Sequence, residues 1–213
     1  MMTDLYVAIG DSLTTGFGAL PGNGFVPVYR RMAAGRLRRE VISNNLGVNG
    51  LTTAGLKQRL QGYPMYRQAI GNAEIITLSI GGNDLIRAAR ASSGQPGNAT
   101  ALLQQALQEC KRNFAEIMAM LNHWKGAGRS PYIIRVVGLY NPYPQVEAAT
   151  DWVRQFNRYA SQCSSRDCGF ASIYNEFAGN ERGLLSIDHV HPNGRGYRVI
   201  ADKLNGLGYG RLY

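Results

Sequence analysis

The chain has 213 residues, of which 45% are hydrophobic and 17% are charged, values typical of one globular domain with a large core. We therefore expect a single domain over residues 1–213, and no apolar run approaches the ~20 residues of a membrane helix. The first residues do not resemble a secretory signal, which favours a cytoplasmic protein. A formal net charge of +9 favours nonspecific attraction to nucleic acid or to anionic lipid. We expect no nucleic-acid partner, because no nucleic-acid-binding motif accompanies the charge, and peripheral contact with anionic lipid stays an expectation.

Short β-type runs alternate with longer amphipathic segments along the chain. The predicted strands are residues 5–10, 41–46, 74–80, 132–137 and 169–174. The predicted helices are residues 25–39, 99–124, 146–165 and 192–207. This alternation indicates an α/β fold in which helices cover both faces of a parallel sheet, with the ligand crevice beyond the carboxyl ends of the strands. Two Gly-rich or Pro-containing loops, residues 16–24 and 92–98, are candidates for mobile borders of that crevice.

A candidate nucleophile follows the first predicted strand. Gly10, Asp11, Ser12 and Leu13 come directly after an apolar run, so Ser12 lies at the carboxyl end of that strand. A serine hydroxyl can attack an acyl carbonyl when a positioned general base takes its proton. The alternative is that Ser12 only caps a helix, since serine is a preferred residue at a helix N-terminus.

A candidate base and its partner lie near the other end of the chain, where Asp188 and His191 are three residues apart. An unperturbed imidazole titrates near ~6.5, so His191 can accept the serine proton, while Asp188 can turn back and fix the tautomer of the ring. The alternative is a turn at Asp188 and a capping or packing role for His191 before Pro192. His189 lies between them, and two histidines at this spacing without further ligands predict no metal site.

Candidate oxyanion donors follow the second and third predicted strands. Gly50 carries no side chain, so its backbone N–H can approach a reacting carbonyl closely. Asn83 follows the third strand, and its amide can donate a second hydrogen bond. The alternative is an ordinary turn, because Gly-Gly-Asn-Asp is common turn and cap composition, and Asp84 is best interpreted as a cap or loop anchor.

Together these blocks resemble the SGNH subgroup of the GDSL esterase and lipase family over nearly the whole chain. The family's successive motifs match residues 10–13, Gly50, residues 81–84 and residues 188–191. The resemblance implies that Ser12 is the nucleophile and that its backbone N–H is a further oxyanion donor. It also implies an α/β three-layer sandwich with a flavodoxin-like five-stranded parallel sheet of order 2-1-3-4-5. Residues 47–53 and 140–144 further resemble a branch of Bacillus-type spore lipases and YpmR-like proteins, which adds a spore-associated location to the expectations.

The prediction that follows is a serine ester hydrolase, an esterase or lipase with lysophospholipase-like activity among the candidates. We expect a small-molecule or lipid ester as the substrate and no cofactor, because the sequence lacks nucleotide-binding and metal-binding motifs. Candidate substrate-contacting residues flank the catalytic segments or follow the fourth strand, although ordinary packing explains each of them equally well. They are Leu13, Tyr140, Asn141, Pro142, Tyr143 and Val190.

Three alternatives stay open at this point. Acyl transfer to a hydroxyl acceptor and hydrolysis of carbohydrate O-acetyl groups would use the same residues. A non-catalytic module that binds anionic surfaces is an alternative of another class, favoured only by the positive charge. The sequence makes no prediction of the oligomeric state.

Overall fold

The computed structural model describes residues 3–92, 98–126 and 130–213. Its strands are β1 (Thr3–Gly10), β2 (Glu40–Gly47), β3 (Ile75–Ser79), β4 (Ile133–Val137) and β5 (Cys168–Ala171). They form one parallel sheet in the order β2-β1-β3-β4-β5. This order confirms the predicted α/β fold class and its flavodoxin-like topology.

Ten α-helices lie in the described part of the chain, three of them only one turn long. They are α1 (Ser12–Thr15), α2 (Phe25–Leu37), α3 (Thr53–Gly62), α4 (Pro64–Asn72), α5 (Gly82–Ser92), α6 (Ala99–Gly126), α7 (Glu147–Ala160), α8 (Tyr174–Phe177), α9 (Glu181–Leu184) and α10 (Gly194–Gly206). Among the described helices, none is long and apolar enough to cross a membrane.

Two helical layers cover the sheet because successive side chains of a strand point to opposite faces. On one face, Val7 and Ile9 of β1 pack with residues of α3 to α7 in one buried cluster. On the other face, Tyr6 and Ala8 pack with residues of α2 and α10 in a second buried cluster. The interior strand β1 therefore contributes buried side chains to both faces of the sheet.

Several element boundaries differ from the sequence predictions. Helices α3, α4 and α5 were not predicted: the start of α5 has the composition of a turn, and α4 begins with Pro64, which is tolerated only in a first helical turn. The predicted strand 169–174 ends at Ala171, because α8 begins three residues later. The predicted helix 146–165 ends at Ala160 and continues only as a short 3₁₀ turn.

The carboxyl edge of the sheet gathers the loops of interest. The order of the strands reverses between β1 and β3, and this is where the open sheets of α/β proteins bind ligands. Ser12 follows β1 and Asn83 follows β3, so both lie at this position. Loop 16–24 borders the same edge, whereas most of the predicted loop 92–98 falls at 93–97, outside the described residues.

Candidate active site

Ser12 lies in the first turn of α1, immediately after β1. The N-cap of this helix is Asp11, whose carboxylate accepts a hydrogen bond from the Leu13 N–H at 3.0 Å. The alternative interpretation of Ser12 as the cap is therefore wrong. Since Asp11 satisfies the helix terminus, the Ser12 hydroxyl is available for another partner.

A buried polar cluster fixes the start of α1 against β3. Ser79 Oγ donates to Asp11 Oδ1 at 2.9 Å and lies 2.7 Å from Thr14 Oγ1. Gly10 allows this approach, because a Cβ at that position would lie 2.0 Å from the Ser79 carbonyl oxygen. Burial raises the pKa of Asp11 to about 7, although the hydrogen bonds from Leu13 and Ser79 act in the opposite direction.

Asp188 and His191 lie on a hairpin that precedes α10, which we call the catalytic hairpin (residues 185–192). Leu185 and Pro192 form an antiparallel bridge, and the Ser186 N–H donates to the His191 carbonyl at 2.7 Å. The Asp188 carboxylate turns back inside the hairpin: Oδ2 lies 2.6 Å from His191 Nδ1, and Oδ1 accepts from the His191 backbone N–H at 2.9 Å.

The imidazole of His191 joins the hairpin to Ser12. His191 Nε2 lies 2.9 Å from Ser12 Oγ, across 179 residues of sequence. With Nδ1 protonated, the ring donates to Asp188 and accepts the serine proton at Nε2, which is the arrangement a general base requires. Burial acts to raise the pKa of Asp188, but hydrogen bonds from His191 and Val190 outweigh it and hold that pKa below its usual value.

The first turns of α5 hold the loop that carries Gly50. Asn83 Nδ2 donates to the Leu51 carbonyl at 3.0 Å, and Arg87 Nη2 donates to the Gly50 carbonyl at 3.2 Å. Asp84 accepts from Thr53 through both the backbone N–H and the hydroxyl, the latter at 2.6 Å. Asp84 is therefore a loop anchor, as its sequence context indicates, and these bonds hold the loop of Gly50 against the start of α5.

A cavity of about 380 Å³ opens beside Ser12 and His191. Its walls also include Gly50 and Asn83, so the candidate nucleophile, base and oxyanion donors face one space. Asp11, Gly82 and Asp188 also line the cavity, and apolar side chains form most of the remaining wall, together with two arginines. These residues are Leu13, Leu85, Ile86, Arg87, Arg90, Leu139, Tyr140, Pro142, Tyr143, Val153 and Val190.

Comparison with known proteins gives the family of the chain. The sequence model of the GDSL-like Lipase/Acylhydrolase family matches residues 8–199. The chain belongs to this family. Its membership confirms the predicted resemblance and shows that the protein is a carboxylic ester hydrolase of the GDSL type.

Several relatives of this GDSL hydrolase cover nearly its whole length. It is 35% identical to the spore germination lipase LipC of Bacillus licheniformis over 213 residues, 99% of each chain. It is 25% identical to YpmR of Bacillus subtilis over 206 residues, covering 92% of this chain and 78% of YpmR. The crystal structure of the lipase Lip_vut3 from a goat rumen metagenome superposes with a TM-score of 0.91 at 34% identity, covering 98% of this chain and 99% of the other.

The structure of this GDSL hydrolase places most of the predicted site residues around one cavity. Five of the six candidate substrate-contacting residues line it, whereas Asn141 does not. The Asn141 amide donates to Thr150 Oγ1 at 2.9 Å and to the Tyr143 carbonyl at 3.2 Å, so it folds the loop after β4 rather than facing the cavity. The sequence analysis did not select Arg87 and Arg90, which also line the cavity. Selecting them would have required predicting that α5 is a helix with one face toward the cavity.

His189 is separated from the cavity by the shape of the catalytic hairpin. Its backbone has a positive φ of 56°, and its side chain is exposed and does not line the cavity. Within the described ranges, no group of three or more His, Cys, Asp or Glu side chains could hold a metal ion.

Proposed function

We propose that this GDSL hydrolase cleaves carboxylic esters through a covalent acyl-enzyme on Ser12, with His191 as general base and acid and Asp188 as the residue that orients the imidazole. The observation that carries the proposal is the continuous hydrogen-bonded series from Asp188 through His191 to Ser12, at 2.6 and 2.9 Å, at the wall of a cavity. A serine hydroxyl is a weak nucleophile unless such a base removes its proton.

The reaction has two steps, formation of the acyl-enzyme and its hydrolysis, and the three side chains are in the same state at the end as at the start. Ser12 Oγ attacks the acyl carbonyl while its proton moves to His191 Nε2; the ester C–O bond then breaks, and the leaving alcohol takes that proton. Water next attacks the acyl-enzyme as His191 removes one of its protons. The acid product leaves, and Ser12 Oγ recovers its proton from the imidazole.

The negative charge that develops on the carbonyl oxygen needs donors on the far side of the nucleophile. We assign this role to the backbone N–H groups of Ser12 and Gly50 and to the Asn83 side chain. Asn83 uses one of its two amide hydrogens on Leu51, so the second is available to the cavity that Asn83 lines. The bonds from α5 to the loop of Gly50 keep these donors in place before a substrate binds.

The cavity wall supports esters with an apolar acyl chain as the substrate class. Leu85, Leu139 and Val153 contribute aliphatic surface, and Tyr140 contributes an aromatic ring. The relatives LipC and Lip_vut3 are both named as lipases, which supports a lipid ester. Arg87 and Arg90 of α5 also line this cavity, beside the carboxyl groups of Asp11 and Asp188, so we include lipid esters with a charged headgroup, such as lysophospholipids, within this class.

Labelling and kinetics of matched variants test the proposal. A fluorophosphonate should label the wild-type protein and not Ser12→Ala, and His191→Asn should lose most labelling and most hydrolysis of p-nitrophenyl esters. His189→Asn is the matched control, because asparagine tolerates the positive φ there, and it should retain both activities.

Within a p-nitrophenyl ester series, kcat/KM should rise from acetate to octanoate, since each buried methylene contributes about 0.8 kcal/mol. A labelled Ser12→Ala protein would overturn the nucleophile, and a preference for acetate would overturn the substrate class.

A further inference from the structure

Three large apolar side chains are exposed near the carboxyl edge of the sheet, while others are scattered over the described surface. Phe17 and Leu20, in the loop after β1, are 50% and 75% exposed, and Ile187, at the tip of the catalytic hairpin, is 96% exposed. Isolated exposed apolar residues are ordinary on a protein surface, but a group on one edge indicates a contact.

Loop 16–24 and the catalytic hairpin form one continuous surface. The Phe17 ring packs edge-on against the His191 ring, with 4.7 Å between centroids. Gly18 lies so close to the hairpin that a Cβ there would be 2.9 Å from His191 Cβ and 3.2 Å from Ser186 Cβ. Ile187 follows Ser186 directly, so it lies in the same hairpin that loop 16–24 contacts.

A positively charged groove of about 810 Å³ continues this surface. Leu20 forms part of its wall, together with Arg182 of α9 and Arg195 and Arg198 of α10. Among the described residues, no acidic side chain lines the groove. We call the groove lined by Arg182, Arg195 and Arg198 the arginine groove, and we call the exposed side chains of Phe17, Leu20 and Ile187 the apolar rim.

The acidic side chains near the arginine groove each have a partner, and one of these partners is an arginine of the groove itself. Asp202 pairs with Arg198 at 3.2 Å, which leaves Arg182 and Arg195 as the main source of positive charge in the groove. Glu181 accepts a hydrogen bond from the Gly179 N–H at 3.0 Å, and Glu176 pairs with Lys203. Arg182 and Arg195 also line a neighbouring pocket that includes Glu176 and Glu181, so the arginine groove is the basic part of this region.

We propose that the arginine groove and the apolar rim form a docking surface for an anionic phospholipid bilayer. The arginines contact lipid phosphates, and the apolar rim enters the boundary between headgroups and acyl chains, as interfacial proteins do. In this orientation the carboxyl edge of the sheet, with Ser12 and its cavity, faces the lipid. A soluble polyanion would use the arginines but would leave the apolar rim in water, so the combination favours a bilayer.

Binding is measured on the full chain with the Ser12→Ala substitution, so that no hydrolysis accompanies it. Cosedimentation is carried out with vesicles of phosphatidylcholine alone and with an equal mixture of phosphatidylcholine and phosphatidylglycerol. The mixed vesicles should bind the protein more tightly, and added salt should weaken binding. The double substitution Arg182→Gln/Arg195→Gln should reduce the partition coefficient by roughly 10-fold or more, since each basic residue near the surface contributes about fivefold. Leu20→Ser should weaken binding through loss of apolar insertion.

The matched control is the double substitution Arg36→Gln/Arg38→Gln, which removes the same charge at the end of α2, next to the amino end of β2. This variant should bind the mixed vesicles within twofold of the Ser12→Ala parent. Three outcomes would overturn the proposal: equal loss of binding in both double variants, equal binding to neutral and mixed vesicles, or unchanged binding of Leu20→Ser. Because these assays involve no catalysis, a failure of the Ser12 mechanism would not alter them.

A kinetic measurement with Ser12 intact separates docking from chemistry. The Arg182→Gln/Arg195→Gln protein should hydrolyse soluble p-nitrophenyl butyrate at the wild-type rate and should hydrolyse a lysophospholipid dispersed in mixed vesicles several-fold more slowly. Equal losses on both substrates would contradict the docking surface and indicate a defect in the site itself.

Discussion

Asn83 both supports the loop of Gly50 and faces the cavity beside Ser12. We expect Asn83→Ala to lower kcat by ~10²–10³, because loss of one oxyanion donor has this effect in other hydrolases. Loss of its neutral hydrogen bond to Leu51 should lower the free energy of unfolding by only about 0.5–1.5 kcal/mol. Steady-state kinetics on a p-nitrophenyl ester and urea unfolding measure the two effects separately.

Arg87→Met is the control for a purely structural role of Asn83, because it removes the neighbouring bond from α5 to the Gly50 carbonyl. This substitution should lower kcat on a neutral ester much less than Asn83→Ala. Equal losses of kcat in the two variants would mean that Asn83 acts only by holding the loop.

Asp11 is expected to make the stability of the protein depend on pH. Its pKa in the folded state is raised from 3.8 to about 7 by burial, so between these values the folded chain holds a proton that the unfolded chain has lost. Folding is therefore favoured by this group at low pH, and its contribution is lost as the pH rises through that window. Asp11→Asn keeps an N-cap acceptor and does not ionise, so it should be more stable than the wild type at pH 7 by on the order of a few kcal/mol.

Urea unfolding at pH 4.5 and at pH 7.5 tests the role of Asp11. The difference in the free energy of unfolding between Asp11→Asn and the wild type should grow as the pH increases. Other titrating carboxyls, including Asp188, are present in both proteins and cancel in this difference. A difference that is constant with pH would show that Asp11 remains ionised in the folded state.

At the scale of elements, the catalytic hairpin depends on a contact from the loop after β4. Tyr140 Oη donates to the Val190 carbonyl at 2.6 Å, and the Tyr140 ring stacks on Phe177 with 4.3 Å between centroids. Burial raises the pKa of Tyr140 well above its ordinary value, so the hydroxyl stays protonated and can donate. Tyr140→Phe retains the ring but loses this bond, and we expect kcat/KM to fall by roughly 2–10-fold, the equivalent of about 0.5–1.5 kcal/mol.

Tyr209→Phe is a matched control for Tyr140→Phe, because it also removes one hydroxyl from a buried tyrosine. The Tyr209 hydroxyl bonds to Asn205 of α10 at 2.9 Å and does not contact the catalytic hairpin. Steady-state kinetics should show a lower kcat/KM for Tyr140→Phe and wild-type values for Tyr209→Phe. Unchanged kinetics in both variants would show that the contact of Tyr140 does not position His191.

The sequence predicted the strands well, because most of them combine a short apolar run with a turn at the end; β2 is the exception, with three polar residues in its middle. The sequence prediction missed α3, α4 and α5, since α3 has few apolar residues, α4 is short and begins with proline, and α5 starts with turn-type composition. Residue 83 was assigned to a loop but lies in the first turn of a helix, where tertiary contacts to residues 51 and 53 override local preference. Short-range patterns contain no information about such contacts.

Within the site, the motif residues were selected because acyl transfer needs particular types of side chain and because their order along the chain resembles that of the family; their catalytic roles stay proposals. The cavity walls could be predicted only in part, since they depend on which face of each element points inward. Asn141 and Tyr143 are two residues apart in one loop, yet only Tyr143 faces the cavity, because the Asn141 amide bonds within the loop. The existence of a single domain over residues 1–213 remains a prediction.

At the scale of the whole molecule, the site exists only when both helical layers are docked on the sheet. Ser12 is fixed through β1 and β3, whereas His191 is carried by the catalytic hairpin in front of α10. The Tyr197 hydroxyl of α10 donates to the Phe17 carbonyl at 2.6 Å, which joins the layer of α2 and α10 to the loop after Ser12. The two tryptophans, Trp124 and Trp152, lie on the opposite layer.

This division predicts that activity and tryptophan fluorescence respond differently to urea. The tip of the catalytic hairpin is exposed and is held by few buried contacts, so it should open with a smaller free energy than the core around Trp152. Hydrolysis of a p-nitrophenyl ester should therefore be lost at a lower urea concentration than the fluorescence change. Tyr140→Phe should widen the separation between the two midpoints, because it weakens the hairpin more than the core, and Tyr209→Phe should not. Coincident midpoints in all three proteins would mean that the hairpin opens only when the whole molecule unfolds.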